Sequence, residues 1–263
     1  MPTQNRNTSI SLKQKLHGHT ATIGSWIQLG HVGVAEIMAL AGFDWLVVDL
    51  EHSVISIETA ADLIRVIDSC GVVPLVRLTS NDPNQIKRVM DAGAHGVVVP
   101  MVNCAADAAQ AVAALHYAPR GTRGVGLARA QGYGNNFKDY LAWINTNGIV
   151  IVQIEHIDAV ENLDSILKVP GVDGFMIGPY DLSCSLGVAG EFEHPKFLSA
   201  IKHIREIGAN LGVCAGLHIV EPNLDTLIQT LQEGYRFIVY SVDIRLLDIG
   251  VRAGINHFRA TNV

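Results

Sequence analysis

The chain has 263 residues, of which 49% are hydrophobic and 17% charged, so it can bury a sizeable core and global disorder is excluded. A formal net charge of -6 without any basic cluster argues against nucleic acid and favours small-molecule partners. No apolar run approaches the roughly 20 residues that span a bilayer, and the four scattered cysteines indicate no disulfide framework, so we expect a cytoplasmic protein without membrane attachment.

Short β-branched runs alternate with amphipathic stretches along the whole chain. Near-continuous apolarity of these runs is typical of parallel strands that are covered on both faces. The predicted strands are residues 22–27, 43–50, 72–78, 94–101, 148–155, 173–178, 211–216 and 236–241. The predicted helices are residues 34–40, 57–69, 83–91, 105–115, 159–167, 195–209, 223–232 and 243–253.

Eight strand and helix units with few residues left over predict an α/β fold, a single-domain (β/α)8 TIM barrel over residues 1–263. The alternative is an open doubly wound sheet, but no glycine-rich phosphate turn follows the first strand. Residues before about 16 are expected to form a short arm, with an amphipathic helix across the bottom of the barrel. A long loop at about 119–147 is the one clear excess, and we interpret it as a functional loop or lid of the strand-to-helix kind.

Charged and polar side chains collect at the predicted carboxyl ends of the strands, which is where the active sites of such barrels lie. The seven residues follow four different strands: Asp49, Glu51, His52, Arg77, Gln153, Glu155 and Asp181. The first three belong to one short segment, VVDLEHS. Isolated salt bridges are the alternative for any single residue, but four strands that end in this way predict a site.

Two of these acids, Glu155 and Asp181, follow neighbouring strands, so their carboxylates are expected to meet. Two carboxylates at one point repel each other unless a cation neutralises them. Oxygen ligands favour a hard divalent ion such as Mg²⁺ or Mn²⁺, and two protein ligands leave positions open for a substrate. The sequence therefore predicts a catalytic metal site at this rim.

The same rim offers groups for substrate binding and proton transfer. The planar fork of Arg77 suits a substrate carboxylate, and the imidazole of His52 is the natural proton-transfer group. A carboxylate on its second nitrogen would fix its tautomer, and Asp91 and Asp49 are the candidates. No lysine ends an apolar strand, so a Schiff-base mechanism is disfavoured.

Five segments of the chain together resemble the HpcH/HpaI-type class II aldolases of 2-keto-3-deoxy acids. They read DWLVVDLEHS, VPLVRLTSNDPNQIKRVMDAGAHGVVVPMV, APRGTRGVG, VQIE and GVDGFMIGPYDLSCSLG, and the resemblance runs from about residue 23 to about residue 247. It implies a (β/α)8 barrel, a divalent metal ion (Mg²⁺, Mn²⁺ or Co²⁺), and reversible cleavage of a 4-hydroxy-2-keto acid into pyruvate and an aldehyde. It also implies a homo-hexamer, a trimer of dimers that exchange their last helix.

The resemblance assigns roles to individual positions of this sequence. His52 matches the base, Asp91 its partner acid with Asp49 beside them, and Arg77 the arginine that binds the pyruvate carboxylate. The metal ligands are matched by Glu155 and Asp181. The remaining substrate-binding positions are matched by Gln153, Gly178, Pro179 and Trp26.

Three questions stay open at the level of sequence. The same pyruvate-enolate site would also serve an oxaloacetate decarboxylase or a CoA-thioester lyase, and a barrel that only senses a keto acid is a third reading. The aldehyde is undefined, because the segment after RGVG departs from the family pattern and His156 replaces a small polar residue. Arg123, Arg129 and Tyr133 of the long loop are candidates for binding a distal carboxylate or hydroxyls.

Overall fold

A computed structural model describes residues 10–261, so the first nine residues of the predicted arm lie outside the described residues. Eight parallel strands close into a barrel in sequence order, which confirms the predicted TIM-barrel fold. The strands are β1 (Thr22–Ile27), β2 (Trp45–Asp49), β3 (Val73–Arg77), β4 (Gly96–Val99), β5 (Ile149–Ile154), β6 (Gly174–Ile177), β7 (Cys214–Ile219) and β8 (Phe237–Val242).

Helices connect successive strands and form the outer layer. They are α1 (Leu12–His17), α2 (Val32–Leu40), α3 (Ile57–Ser69), α4 (Pro83–Ala92), α5 (Ala105–Leu115), α6 (Phe137–Asn147), α7 (Ile157–Glu161), α8 (Leu163–Leu167), α9 (Pro179–Ser185), α10 (Pro195–Leu211), α11 (Leu224–Gln232) and α12 (Asp243–Thr261). No helix among residues 10–261 is long and apolar enough to cross a membrane.

The start and end of α4 show how local sequence sets these boundaries. The side chain of Asp82 accepts a hydrogen bond from the backbone N–H of Asn84 (2.9 Å), and Pro83 occupies the first turn, where its missing N–H costs nothing. Gly93 ends the helix with φ of 105°, a left-handed conformation that favours glycine. Strand β7 was predicted three residues too early, because α10 continues to Leu211 and ends at the left-handed Gly212.

Side chains of the strands alternate between two apolar cores. In β2, Trp45 and Val47 point into the barrel, whereas Leu46 and Val48 pack against the surrounding helices. The same alternation directs the next inward position, Asp49, to the mouth of the barrel. Because of this alternation, an otherwise apolar strand places a buried carboxylate at the mouth of the barrel.

Helix α1 closes the bottom of the barrel, as predicted from the sequence. Lys13 and Lys15 contact groups that lie directly before β2, β5 and β6, namely Asp44, the carbonyl oxygen of Gly148, and Asp173. The apolar side of the helix, Leu12 and Leu16, joins the core inside the barrel. The helix thus holds the amino ends of three strands together and excludes water from below.

The long segment before β5 was misinterpreted as a functional strand-to-helix loop. It follows α5 and precedes β5, and such helix-to-strand connections lie at the bottom of a barrel, opposite the mouth. Arg129 pairs there with Asp68 at the end of α3 (2.7 Å) and donates to the carbonyl of Ala92 at the end of α4. The second half of this segment before β5 forms a helix, α6, that was not predicted from the sequence.

We expect the closure by α1 to contribute measurably to stability. Leu16→Ala should lower the free energy of unfolding by about 3 kcal/mol, because Leu16 is fully buried inside the barrel and its truncation leaves a cavity. Urea unfolding followed by circular dichroism measures this loss. The control Leu40→Ala, at an exposed position of α2, should cost less than about 0.5 kcal/mol, and equal losses would contradict the role of α1.

Candidate active site

Asp49, the last residue of β2, organises the mouth of the barrel. Its fully buried carboxylate accepts two hydrogen bonds from Arg77, from Nε at 2.8 Å and from Nη2 at 2.6 Å, and a third from Gln28 at 2.7 Å. Burial alone would raise the pKa of Asp49, but the hydrogen bonds and charge of Arg77 outweigh it and lower the pKa. This carboxylate therefore stays ionised inside the protein.

Arg77 is held from two further sides. Its guanidinium carbon lies 4.2 Å from the ring centroid of Trp26, the inward aromatic residue near the end of β1. Its Nη1 lies 3.4 Å from Oε2 of Glu51. Stacking on a buried ring and a bidentate ion pair leave the guanidinium little freedom, so its remaining N–H groups have a fixed direction.

Glu155 lies at the opposite side of the mouth, directly after β5. Ile149 and Ile151 point into the barrel, and the same alternation brings Gln153 and then Glu155 inward at the top. Glu155 accepts hydrogen bonds from the backbone N–H of Met101 (2.7 Å) and from the side chain of Gln153. Burial raises the pKa of Glu155, and the nearby charge of Asp181 raises it further.

The backbone conformation around Glu155 is unusual at two points. Met101 has φ of 52°, a value that is uncommon for a non-glycine residue, and in this conformation its N–H donates to Glu155. A Cβ atom on Gly178 would lie 2.6 Å from Oε2 of Glu155 and 2.8 Å from its Cβ. Gly178 and the following Pro179 begin α9, so the missing side chain makes room for this carboxylate.

Asp181 is exposed in the first turn of α9, and its charge acts on both Glu155 and Glu51. His52 extends from the loop after β2 with 59% of its side chain exposed, and its Nε2 lies 3.8 Å from Oε2 of Glu51. The structure thus brings eight of the predicted site residues to one end of the barrel. Those eight are Trp26, Asp49, Arg77, Gln153, Glu155, Gly178, Pro179 and Asp181, and His52 stands at their edge.

Within one chain Asp91 does not join this group, and the prediction that it holds His52 stays a prediction. It lies in the last turn of α4, and because helices run antiparallel to the strands, that turn is at the bottom of the barrel. Its carboxylate pairs with Arg123 at 2.5 Å, and Arg123 also donates to the hydroxyl of Tyr140 at 3.0 Å. Neither Arg123 nor Arg129 therefore reaches the mouth of its own barrel.

Asp49 does not serve as an imidazole partner either. Its Oδ1 accepts the backbone N–H of His52 (3.3 Å) and that of Glu51 (3.0 Å), so it binds the main chain of the loop and not the ring. An aspartate at the end of a strand commonly accepts hydrogen bonds from the backbone amides of the residues that follow it.

Three contributors to the site carried little signal in the sequence. Glu51 was noted at the strand end but given no role, and no role was predicted for Gln28 or His218. His218 contacts the ring of Trp26 edge-on at 5.9 Å between centroids. Burial and then the charge of Arg77 lower the pKa of His218 to about 4, so this ring is neutral at neutral pH.

The donor set fits a hard divalent cation. Four carboxylates, Asp49, Glu51, Glu155 and Asp181, influence one another around the single guanidinium of Arg77. Among residues 10–261, Oε2 of Glu51 and Oε1 of Gln153 are buried without a hydrogen-bond partner. Within the same residues, no group of three or more His, Cys, Asp or Glu side chains is arranged to hold a metal ion. The predicted site has only two protein ligands, so it falls below that number.

An eight-stranded parallel barrel with this charged mouth is a TIM-barrel enzyme that acts on a small molecule. The sequence profile of the HpcH/HpaI aldolase/citrate lyase family matches residues 22–248. The chain belongs to this family and is an aldolase, an enzyme that cleaves carbon–carbon bonds. The resemblance found in the sequence is thereby confirmed.

Individual relatives agree with this assignment. A 4-hydroxy-2-oxo-heptane-1,7-dioate aldolase of Salmonella dublin is 41% identical over 249 residues, which cover 92% of each chain. The crystal structure of an HpcH/HpaI aldolase/citrate lyase family protein from Burkholderia cenocepacia superposes with a TM-score of 0.89 at 34% identity, over 94% of this chain and 98% of that one. An HpcH/HpaI aldolase from Desulfitobacterium hafniense gives 0.86 at 30% identity, over 95% and 97%.

The packing of Gly178 against Glu155 predicts a local but severe effect of a methyl group. Gly178→Ala should lower the rate of aldol cleavage by about tenfold or more, because Glu155 must move away from the new Cβ. Steady-state kinetics with pyruvate detection measure the effect, and the melting temperature reports on the fold. Gly250→Ala adds the same methyl group where no atom lies within 4 Å, and comparable losses in both variants would contradict the proposed contact.

Proposed function

We propose that this aldolase reversibly cleaves a 4-hydroxy-2-keto acid, of the 2-keto-3-deoxy class, into pyruvate and an aldehyde. The observation that supports this most strongly is Arg77, a buried guanidinium fixed at the mouth of the barrel opposite Glu155. A keto acid needs one group for its carboxylate and another for its carbonyl oxygen. The relative from Salmonella is named for a substrate of this class.

Arg77 would bind the carboxylate of the pyruvate half. Asp49 occupies Nε and one hydrogen of Nη2, so Nη1 and the second hydrogen of Nη2 remain for a ligand. Trp26 covers the flat face of the guanidinium, which directs binding to its edge. Gln153 would lie beside the keto group of the same half, because its Nε2 has a second hydrogen besides the one that it donates to Glu155.

Glu155 and Asp181 would hold the divalent ion, Mg²⁺, Mn²⁺ or Co²⁺, and the missing side chain of Gly178 leaves room for the carboxylate of Glu155. When bound, the ion supplies a Lewis acid that polarises the keto group and neutralises negative charge that develops on its oxygen. The hydrogen bonds from Met101 and Gln153 orient the carboxylate of Glu155 beforehand. The protein therefore contributes a preorganised pair of oxygen ligands.

His52 would move the proton. Its exposed ring at the rim takes the proton of the 4-hydroxyl group, and the bond between C3 and C4 then breaks. The electron pair of that bond passes into the keto group and gives the enolate of pyruvate, while C4 becomes the carbonyl carbon of the aldehyde. Protonation of the enolate at C3 completes cleavage, and the reverse sequence forms the carbon–carbon bond.

A homo-oligomer, the hexamer implied by the family resemblance, is part of the proposal. Four large apolar side chains line one face of α12 and are each about half exposed or more: Leu247, Val251, Ile255 and Phe258. Their spacing of three or four residues forms a continuous helical stripe. A second copy of the chain would remove this stripe from water.

The reaction predicts a strict requirement for a divalent ion. We expect pyruvate release from 4-hydroxy-2-oxoheptane-1,7-dioate, coupled to lactate dehydrogenase, to fall to background after chelation and to return with Mg²⁺, Mn²⁺ or Co²⁺. His52→Ala should lower kcat by about 10² to 10⁴-fold, because general base catalysis is lost.

His203→Ala, an exposed change on α10, serves as its matched control and should keep full activity. Oxaloacetate is assayed in parallel, since decarboxylation is the alternative that uses the same site. Cleavage that persists in chelator, or faster turnover of oxaloacetate than of every aldol substrate, would contradict the proposal.

The oligomer predicts a molar mass near six times the 28.3 kDa of one chain, measured by light scattering after gel filtration. Replacing Val251 and Phe258 together by Glu should dissociate the assembly, because two buried charges would have no partner. Lys202→Glu, an exposed change on α10, should leave the mass unchanged. A wild-type protein that elutes as a single chain would refute this part of the proposal.

A further inference from the structure

His218 lies near the carboxyl end of β7, on the side of the strand that faces the interior of the barrel. Cys214 of the same strand belongs to the core inside the barrel, and alternation along the strand directs Gly216 and then His218 to the same side. The imidazole packs edge-on against Trp26, with 5.9 Å between the ring centroids, and the charge of Arg77 acts on it. His218 is therefore part of the mouth of the barrel, beside the residues that carry the proposed reaction.

The backbone of β8 anchors this ring. Nε2 of His218 lies 3.2 Å from the carbonyl oxygen of Ser241, which also accepts a hydrogen bond from the hydroxyl of Ser25. Ser241 has φ of 57°, a value that is uncommon for a non-glycine residue, and its hydroxyl donates to the carbonyl oxygen of Val220 (2.9 Å). The pairing of β1 with β8 is irregular at the same place. Strained backbone of this kind persists where surrounding contacts hold it, and it is frequent at functional sites.

The contact with Ser241 determines which nitrogen of His218 carries the hydrogen. A carbonyl oxygen only accepts hydrogen bonds, so Nε2 is the donor and Nδ1 presents a lone pair. Burial, and then the charge of Arg77, lowers the pKa of His218 to about 4, so the ring is neutral at neutral pH and Nδ1 stays an acceptor. Nδ1 accepts no hydrogen bond from any residue in the range 10–261 and is not fully buried, so a ligand can reach it.

The order of the strands indicates which half of the substrate meets this acceptor. In the proposed function, Arg77 and the two metal ligands bind the keto-acid half, and these groups lie at or after the ends of β3, β5 and β6. The aldehyde half is left with the adjoining part of the mouth, which β7, β8 and β1 form. The inward side chains of Trp26 and Val242 are apolar there, so the imidazole of His218 offers the polar contact.

We propose that His218 is a specificity-determining residue for a hydroxylated aldehyde: its Nδ1 accepts a hydrogen bond from a hydroxyl group on C5, the carbon next to the aldehyde carbon. The inference rests on the proposed function and names the aldehyde class of that same site. A 2-keto-3-deoxy acid has no hydroxyl group on C3, and its 4-hydroxyl belongs to His52, so the next donor is the hydroxyl on C5. A carboxylate in this place offers only lone pairs to the lone pair of Nδ1 and gains no hydrogen bond.

The proposed preference distinguishes this chain from its relative in Salmonella. The heptanedioate for which that relative is named carries no hydroxyl group on C5. We therefore expect this enzyme to favour an aldehyde with a hydroxyl group beside the carbonyl over an unsubstituted aldehyde of the same length.

Two aldehydes of nearly equal size test the inference, because glycolaldehyde carries a hydroxyl group where propanal carries a methyl group. Each is condensed with pyruvate in the presence of Mg²⁺, and the product is quantified by liquid chromatography. The measured quantity is the ratio of kcat/KM for glycolaldehyde to kcat/KM for propanal. Comparing this ratio between the wild type and its variants cancels the difference in intrinsic reactivity between the two aldehydes.

Two substitutions separate recognition by Nδ1 from the contact of Nε2 with Ser241. His218→Gln can still donate to Ser241 but has no acceptor in the place of Nδ1, so the ratio should fall about tenfold, the effect of one lost hydrogen bond. His218→Asn keeps an amide oxygen in the place of Nδ1 and no longer reaches Ser241, so the ratio should stay within about threefold of the wild type. His203→Gln, an exposed change on α10, is the matched control and should leave the ratio unchanged.

A ratio that His218→Gln leaves unchanged, or that His218→Asn lowers as much as His218→Gln does, overturns the inference and leaves the imidazole as a support for Ser241. Uptake of deuterium at C3 of pyruvate in D₂O, followed by NMR, needs no aldehyde and shows whether a variant retains the pyruvate half of the site. If His218→Gln loses this exchange, His218→Leu replaces it, with the same tenfold loss expected. A wild type that forms no product with any aldehyde refutes the proposed function, whereas an unchanged ratio in an active enzyme refutes this inference alone.

Discussion

The bidentate ion pair between Asp49 and Arg77 is the interaction on which the mouth of the barrel depends. The two residues are register partners at the ends of β2 and β3, so the sheet itself sets their separation. Removing either partner would leave the other charge buried and unpaired, at a cost of about 3 to 5 kcal/mol. The same carboxylate also binds Gln28 and the backbone after β2, so one buried acid fixes the arginine, the neighbouring strand end and the loop that carries the imidazole.

Charges at the two ends of the barrel are arranged differently. At the bottom, Asp91 of α4 pairs with Arg123 of the segment before β5, and Lys13 of α1 pairs with Asp173 directly before β6, so these ion pairs stabilise the fold. At the mouth, carboxylates outnumber cations, and burial and mutual repulsion raise the pKa of Glu155 and of Glu51. Perturbed carboxylates that the fold does not need for its own stability are typical of a functional site.

The fold and most of the residues that meet at the mouth of the barrel could be predicted from the sequence, because strand ends are visible in the pattern. Arg77 and Glu155 each close an apolar run, and the parallel topology brings such ends to one rim. Asp91 lies at the bottom of its own barrel for the same topological reason, since the end of a helix lies opposite the end of a strand. The burial of Glu51 could not be predicted from the sequence, because it arises from the turn around Asp49. The hydrogen bond from the N–H of Met101 to Glu155 could not be predicted either, because a methionine does not indicate a positive φ.

The balance of charge at the mouth explains why a cation and an acidic substrate belong together there. Asp49, Glu51, Glu155 and Asp181 face a single guanidinium, so with every carboxylate ionised the mouth carries an excess of three negative charges. An anionic keto acid would be repelled from such a surface at short range. Protonation of a carboxylate relieves part of this excess of negative charge, but a protonated carboxyl group is a poor ligand for a metal ion. In the proposed function, a divalent ion held by Glu155 and Asp181 would remove most of this excess, and Arg77 would then act on the substrate instead of on its own neighbours.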